Sequence, residues 1–260
     1  MISKVFRIAL TIVLASFALS SAVWATCSNS SLSGIYGFVN RGTDSSGTPA
    51  ATLGQLKFDS TTGKFTGTLT VSTDGLIQSG SVSGTYAVAP NCTVTGTSTV
   101  AGGRPHPFSA VVTSTGGVKE VDGHPGVTAG GFALAQGSPT CTNAGLKGSF
   151  GFAAEGVFVP GAPFRGPVEL IAELAFSVNS SGDGVISGHL AGSENGTILT
   201  FAEEPVTGSY SVSSDCIGKA TITPKVGSAL NFSFVVVEGG KELMAIETDT
   251  DRVVTARFQR

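Results

Sequence analysis

Few residues in this chain have side chains that could do polar chemistry. Three are histidines: His106 in "GRPHPF", His124 in "DGHPG" and His189 in "SGHLAG". None stands at a metal-ligand spacing from another, and each sits beside Pro or Gly, so they read as exposed turn residues. The sharpest acidic motif is "ETDTD". In an extended chain Glu247, Asp249 and Asp251 share one face. Three oxygen donors in a row suit a calcium ion. A hairpin turn rich in Asp and Thr explains the same letters without one. The first half of the chain has no matching trio, so no metal is assigned. Glu203-Glu204-Pro205 reads as a solvated bend before a strand. There is no Gly-x-Ser-x-Gly elbow, no His-Glu-x-x-His and no phosphate-cradling Gly-Lys-Ser/Thr. No catalytic residue and no cofactor is assigned.

The elements that would position any site are strands. "GKFTGTLTV" (63–71), "LNFSFVVV" (230–237) and "VVTARF" (253–258) alternate apolar and polar residues with period two. Turn signals such as "DSTTGK", "STDG", "NSSGDG" and "SENG" fall between them. No segment shows a 3.6-residue pattern. The expected fold is all-β: two tandem antiparallel up-and-down barrels of about eight strands each, which removes free sheet edges. Two β-sandwiches are the alternative. On the barrel reading Tyr86, Tyr210, Phe232 and Phe234 face inward and would line a ligand cavity. A filled core, with the tyrosine hydroxyls on backbone partners, is the competing arrangement.

The tandem reading comes from internal similarity. "CSNSSLSGIYGF" (27–38) returns as "CTNAGLKGSFGF" (141–152), "VSGTYAVAPNC" (82–92) as "VTGSYSVSSDC" (206–216), and "FSAVV" (108–112) as "FSFVV" (232–236). Each of the last pair is followed by Gly-Gly and then Lys-Glu. Each copy owns one early and one late cysteine, so Cys27 is expected to bond Cys92, and Cys141 to bond Cys216. "AQGSPT" (135–140) is the expected linker, giving barrel units at 26–138 and 139–260. The second copy carries a net insertion of ten residues, placed at "VPGAPFRGP" (159–167). That loop brings Phe158, Phe164 and Arg165 to a barrel mouth, where any ligand or partner of the second copy would be met.

Residues 1–25 read as a secretory signal peptide. Lys4 and Arg7 precede an apolar run from Ile8 to Leu19, and Val23 and Ala25 are the small residues of a cleavage site. Four cysteines beyond it suit an oxidising compartment. The expected location is secreted, periplasmic or at the cell surface, with no membrane span after cleavage. Residues 26–139 are electrically neutral and residues 140–260 carry net −5. Neither half offers the basic surface that nucleic acid requires.

The pattern Cys-x-Asn-x-x-Leu-x-Gly-x-(Tyr/Phe)-Gly-Phe, then Gly-x-Tyr-x-Val-x-x-x-Cys, resembles a tandem-repeat group of secreted bacterial proteins of unknown function. The resemblance covers nearly the whole mature chain, twice. It implies small barrels of calycin or allene-oxide-cyclase-like type and carries no catalytic residue with it. Where a true lipocalin would have Gly-x-Trp, this chain has Gly34-Ile35-Tyr36. The expected function is that of an exported, non-catalytic module binding a small apolar ligand or a surface partner. The alternative is a barrel-type cyclase or isomerase acting on an apolar substrate.

Overall fold

The computed structural model describes residues 26–138, 140–162 and 164–260. The signal-peptide reading of residues 1–25 lies outside the described residues. The first eight strands are β1 (Gly34–Thr43), β2 (Pro49–Asp59), β3 (Lys64–Thr73), β4 (Leu76–Val88), β5 (Thr93–Val100), β6 (Pro105–Val112), β7 (Val118–Asp122) and β8 (Thr128–Ala135). Each pairs antiparallel with the next, and β8 returns to β1, closing a barrel. The second closed barrel is β9 (Gly148–Phe158), β10 (Pro167–Val178), β11 (Gly184–Glu194), β12 (Thr197–Val212), β13 (Ile217–Pro224), β14 (Leu230–Val237), β15 (Glu242–Glu247) and β16 (Arg252–Gln259). The barrel reading therefore holds and the sandwich alternative falls. No helix among the described residues is long and apolar enough to cross a membrane.

The two barrels share one register. Strand pairing sets Gly34 equivalent to Gly148, Phe58 to Phe176, Phe65 to Ile186 and Gly84 to Gly208. The offset thus steps from 114 to 118, 121 and 124. Four of the ten extra residues lie in the β9–β10 loop, three in the β10–β11 turn and three in a bulge within β12, rather than all at "VPGAPFRGP". The expected bend at Glu203-Glu204-Pro205 lies inside β12 instead of before a strand, beside a bulge in which the backbone between Leu199 and Glu204 opposes one β11 residue, Ala191. The Lys-Glu pairs also part company. Lys119 and Glu120 lie within β7, whereas Lys241 precedes β15 and the equivalent of Val118 in the second barrel is Leu243.

The barrels pack side against side. Val39, Ala51 and Leu53 of the first meet Val159, Val235, Val237, Met244, Ile246 and Val253 of the second in one apolar cluster. This explains why β15 is buried at all six positions: one face fills its own barrel and the other covers its neighbour. Gly37 allows the approach. A Cβ there would stand 2.6 Å from a Val237 methyl and 2.7 Å from a Val235 methyl. Its counterpart Gly151 has no such neighbour. At the rim Arg41 pairs with Glu155 at 3.1 Å, and the Arg257 guanidinium lies 4.6 Å over the Phe132 ring.

Candidate functional site

One end of each barrel is plugged, and the repeated letters are the plug. Before β1 a short 3-10 turn (Asn29–Ser31) leads into Leu32, which is 1% exposed. The Cys27–Cys92 disulfide ties this segment to the β4–β5 turn. The Asn29 side-chain oxygen accepts from the Val88 amide at 2.9 Å, and the Tyr86 hydroxyl donates to the Leu32 carbonyl at 2.7 Å. The second barrel repeats the device. Cys141 is bonded to Cys216, Leu146 is the plug, the Val212 amide donates to Asn143, and the Tyr210 hydroxyl donates to the Asn143 carbonyl at 2.7 Å. Gly34 and Gly148, which start β1 and β9, take φ of +94° and +140°, a region open to glycine. By loop-closure entropy each disulfide contributes about 4 kcal/mol.

Beyond the plugs the two interiors differ. The first barrel encloses a cavity of about 230 Å³. Its apolar wall includes Phe38, Leu56, Phe58, Phe65, Leu69 and Phe108. Two alanines help to open the cavity. The register places Ala110 where the second barrel has Phe234, and Ala133 where it has Phe258. A phenyl ring in place of a hydrogen adds roughly 100 Å³ at interior packing density, so Ala133 opens much of the chamber. At Ala110 the opening is partly refilled, because its cross-strand neighbour Val94 stands where the second barrel has Gly218, over which the Phe234 ring lies. Phe234 and Phe258 are both 0% exposed.

The cavity has a polar end, opposite the plug. Asn40, Thr52, Ser98, His106, Glu120 and Asp122 line it. The second barrel has Ala154, Leu170, Ile222, Leu230 and Ala245 at the first five positions. Burial pushes the Glu120 carboxyl up to about 7, with the Asp122 charge adding and a hydrogen bond from Asn40 opposing. The Asn40 side-chain oxygen is buried without a hydrogen-bond partner. Asp122 accepts from the His124 amide at 2.7 Å, and the His106 and His124 rings lie 4.8 Å apart. An apolar chamber with one end rich in acceptors can hold a small molecule and orient it.

The sixth position is acidic in both barrels, since Glu247 is the equivalent of Asp122. Its setting is different. Glu247 is 0% exposed and lies 3.2 Å from the Arg252 guanidinium. Burial drives its carboxyl well above the usual range, against the pull of Arg252. Arg252 also pairs with Asp251 at 2.9 Å and lies over the Phe158 ring. The Phe164 ring stands 5.5 Å from Phe158, so the inserted loop folds over the end of its own barrel. Asp249 accepts from the Asn231 amide and side chain. "ETDTD" is thus an internal lock at a hairpin. Among the described residues no group of three or more His, Cys, Asp or Glu is arranged to hold a metal ion.

Tyr86, Tyr210, Phe232 and Phe234 do face inward, but none lines the first barrel's cavity. The tyrosines belong to the plugs and the phenylalanines to the filled core. Phe158 is buried, Phe164 packs on it, and Arg165 is exposed. His106 is not a loop residue, since β6 carries it into the interior. Sequence reasoning passed over Asn40, Glu120 and Asp122. The signal was the period-two parity of "VKEVD", which puts Glu120 and Asp122 on the face of Val118.

No protein-family model matches the chain, and no curated protein matches it. Among solved structures, the chain is similar to a crystal structure of a protein of unknown function from the DUF3598 family of Nostoc punctiforme. The identity is 11% and the TM-score 0.27, over 88% of this chain and 96% of that one.

Proposed function

We propose that the chain is an exported, non-catalytic protein whose first barrel binds a small apolar ligand, with the second barrel as a filled companion that supports it. One observation carries the reading: a 230 Å³ chamber in the first barrel at positions the second barrel fills with phenylalanine. Export is supported by two disulfides, which form in oxidising compartments, together with the signal-like residues 1–25. On this reading the protein acts outside the cytoplasm, in the periplasm or at the cell surface. The shared register supports a tandem repeat of one calycin-like or allene-oxide-cyclase-like unit, with limits at 26–138 and 139–260. The test is native mass spectrometry of the protein taken from cells that export it, beside a Val94→Gly/Ala110→Phe/Ala133→Phe variant that copies Gly218, Phe234 and Phe258 of the second barrel. The reading expects a small-molecule adduct on the wild type and none on the variant. An adduct of equal abundance on both would overturn it.

A second reading has its own observation. A carboxyl near 7 facing an apolar chamber suits general acid–base catalysis, as a barrel-type isomerase or cyclase would need. Incubating the co-purified ligand with protein in deuterated water separates the two. Deuterium uptake that Glu120→Gln abolishes favours the enzyme, and no uptake favours simple binding.

A further inference from the structure

The polar end of the chamber is unbalanced in its hydrogen-bonding groups. Asn40 presents a buried oxygen with no donor, and Glu120 and Asp122 present carboxyl oxygens. Among the described residues no Lys or Arg side chain lines the chamber. On the strand next to β7, β6 faces the chamber with His106, and on the other side β8 contributes only Gly131 and Ala133 at the paired positions. Arg41, on β1, turns outward to Glu155. A neutral apolar guest would leave the Asn40 oxygen unsatisfied, at a cost of about 1–3 kcal/mol, and would bring the two carboxyl groups no counter-charge. An anion would meet two carboxyl groups. A guest bearing N–H donors and positive charge satisfies all three.

We propose that the first barrel takes a small apolar amine, its body against the four phenylalanines and its ammonium among Asn40, Glu120 and Asp122. The class is bounded by size: 230 Å³ holds about eight water-sized groups at roughly 30 Å³ each. This rests on the ligand-binding reading above and narrows it to one charge class. Glu120 gives up its proton when the ammonium arrives, so binding on the acid side of neutrality releases a proton to solvent. The second barrel lacks the arrangement. Its equivalents of Asn40 and Glu120 are alanines, and Glu247 is engaged by Arg252.

Three probes of one shape test it by calorimetry at low salt: cyclohexylmethylamine, cyclohexylmethanol and cyclohexanecarboxylate. The amine should bind, the alcohol should bind tenfold or more weakly, and the carboxylate should give no heat; a roughly tenfold gap is the worth of one charge-assisted hydrogen bond. Glu120→Gln/Asp122→Asn should bring the amine down to about the alcohol's affinity, a loss of tenfold or more, and should weaken the alcohol by far less than it weakens the amine. At about pH 6 the amine's heat should vary with the buffer's ionisation heat, and the alcohol's should not. An alcohol that binds as well as the amine overturns the amine assignment and leaves the chamber a ligand site. Amine binding that persists in Val94→Gly/Ala110→Phe/Ala133→Phe overturns its placement there. No heat from any probe at millimolar concentration overturns both readings.

Discussion

Glu120→Gln should make the protein more stable, and only above acid pH. The carboxyl rises from 4.5 in the unfolded chain to about 7 in the barrel. Between those values the folded state binds the proton more tightly than the unfolded one. Stability is therefore full below about pH 4.5, falls as pH rises, and levels off above pH 7. A shift from 4.5 to about 7 is worth at most ~3 kcal/mol at 1.36 kcal/mol per unit. Water reaching the chamber lowers this, so the expected loss is about 1–3 kcal/mol. Gln keeps the neutral shape and does not titrate. Urea unfolding of both proteins from about pH 4 to 9 measures the difference, and subtraction removes the other titrating groups. The two should agree near pH 4, with Glu120→Gln ahead by 1–3 kcal/mol near pH 8. A difference flat across that range would refute the burial of Glu120.

Ala133→Phe should fill part of the chamber and raise stability by about 1–2 kcal/mol, the reverse of cavity creation, whereas Ala110→Phe should lose stability by about 1–3 kcal/mol through overpacking against Val94, which stands where the second barrel has Gly218 under Phe234; thermal and urea unfolding measure both, and a loss in Ala133→Phe would mean the second barrel's packing does not transfer. Gly37→Ala forces a methyl against Val235 and Val237, so it should cost on the order of 1–3 kcal/mol by overpacking and separate one calorimetric transition into two. Arg252→Met leaves Glu247 buried without its partner, which should cost about 3–5 kcal/mol in the second transition alone. Residues 26–138 and 139–260 made separately should each give a dispersed amide spectrum yet self-associate through the bared cluster around Leu53 and Ile246; monomeric behaviour of both by sedimentation would contradict the shared interface.

What could be read from the letters was local. The plugs were legible twice over, because a cysteine, an asparagine cap, a leucine and a tyrosine act within one end of one barrel. One cause of the chamber was also in view. "FSAVV" against "FSFVV" is Ala110 against Phe234, a difference that means a void only once both are known to face inward. The other cause was hidden by register. The first copy has Phe132 one position from Ala133, and a one-residue step turns a side chain to the opposite face. Phe132 accordingly meets Arg257 at the interface. The interface itself left a mark in the unbroken apolar runs of "FVVV" and "LMAI", which signal strands buried on both faces. Alternation was the pattern sought, and those runs do not alternate. Glu120 and His106 were obscured by their flanking charges and prolines, since only barrel closure brings them to one chamber.

Diffraction from crystals pressurised with xenon tests the central contrast most directly, because an apolar void admits the gas and a packed interior does not. The account predicts xenon in the first barrel beside Ala110 and Ala133, with none inside the second barrel around Phe234 and Phe258. Xenon in both interiors, or in neither, would contradict it.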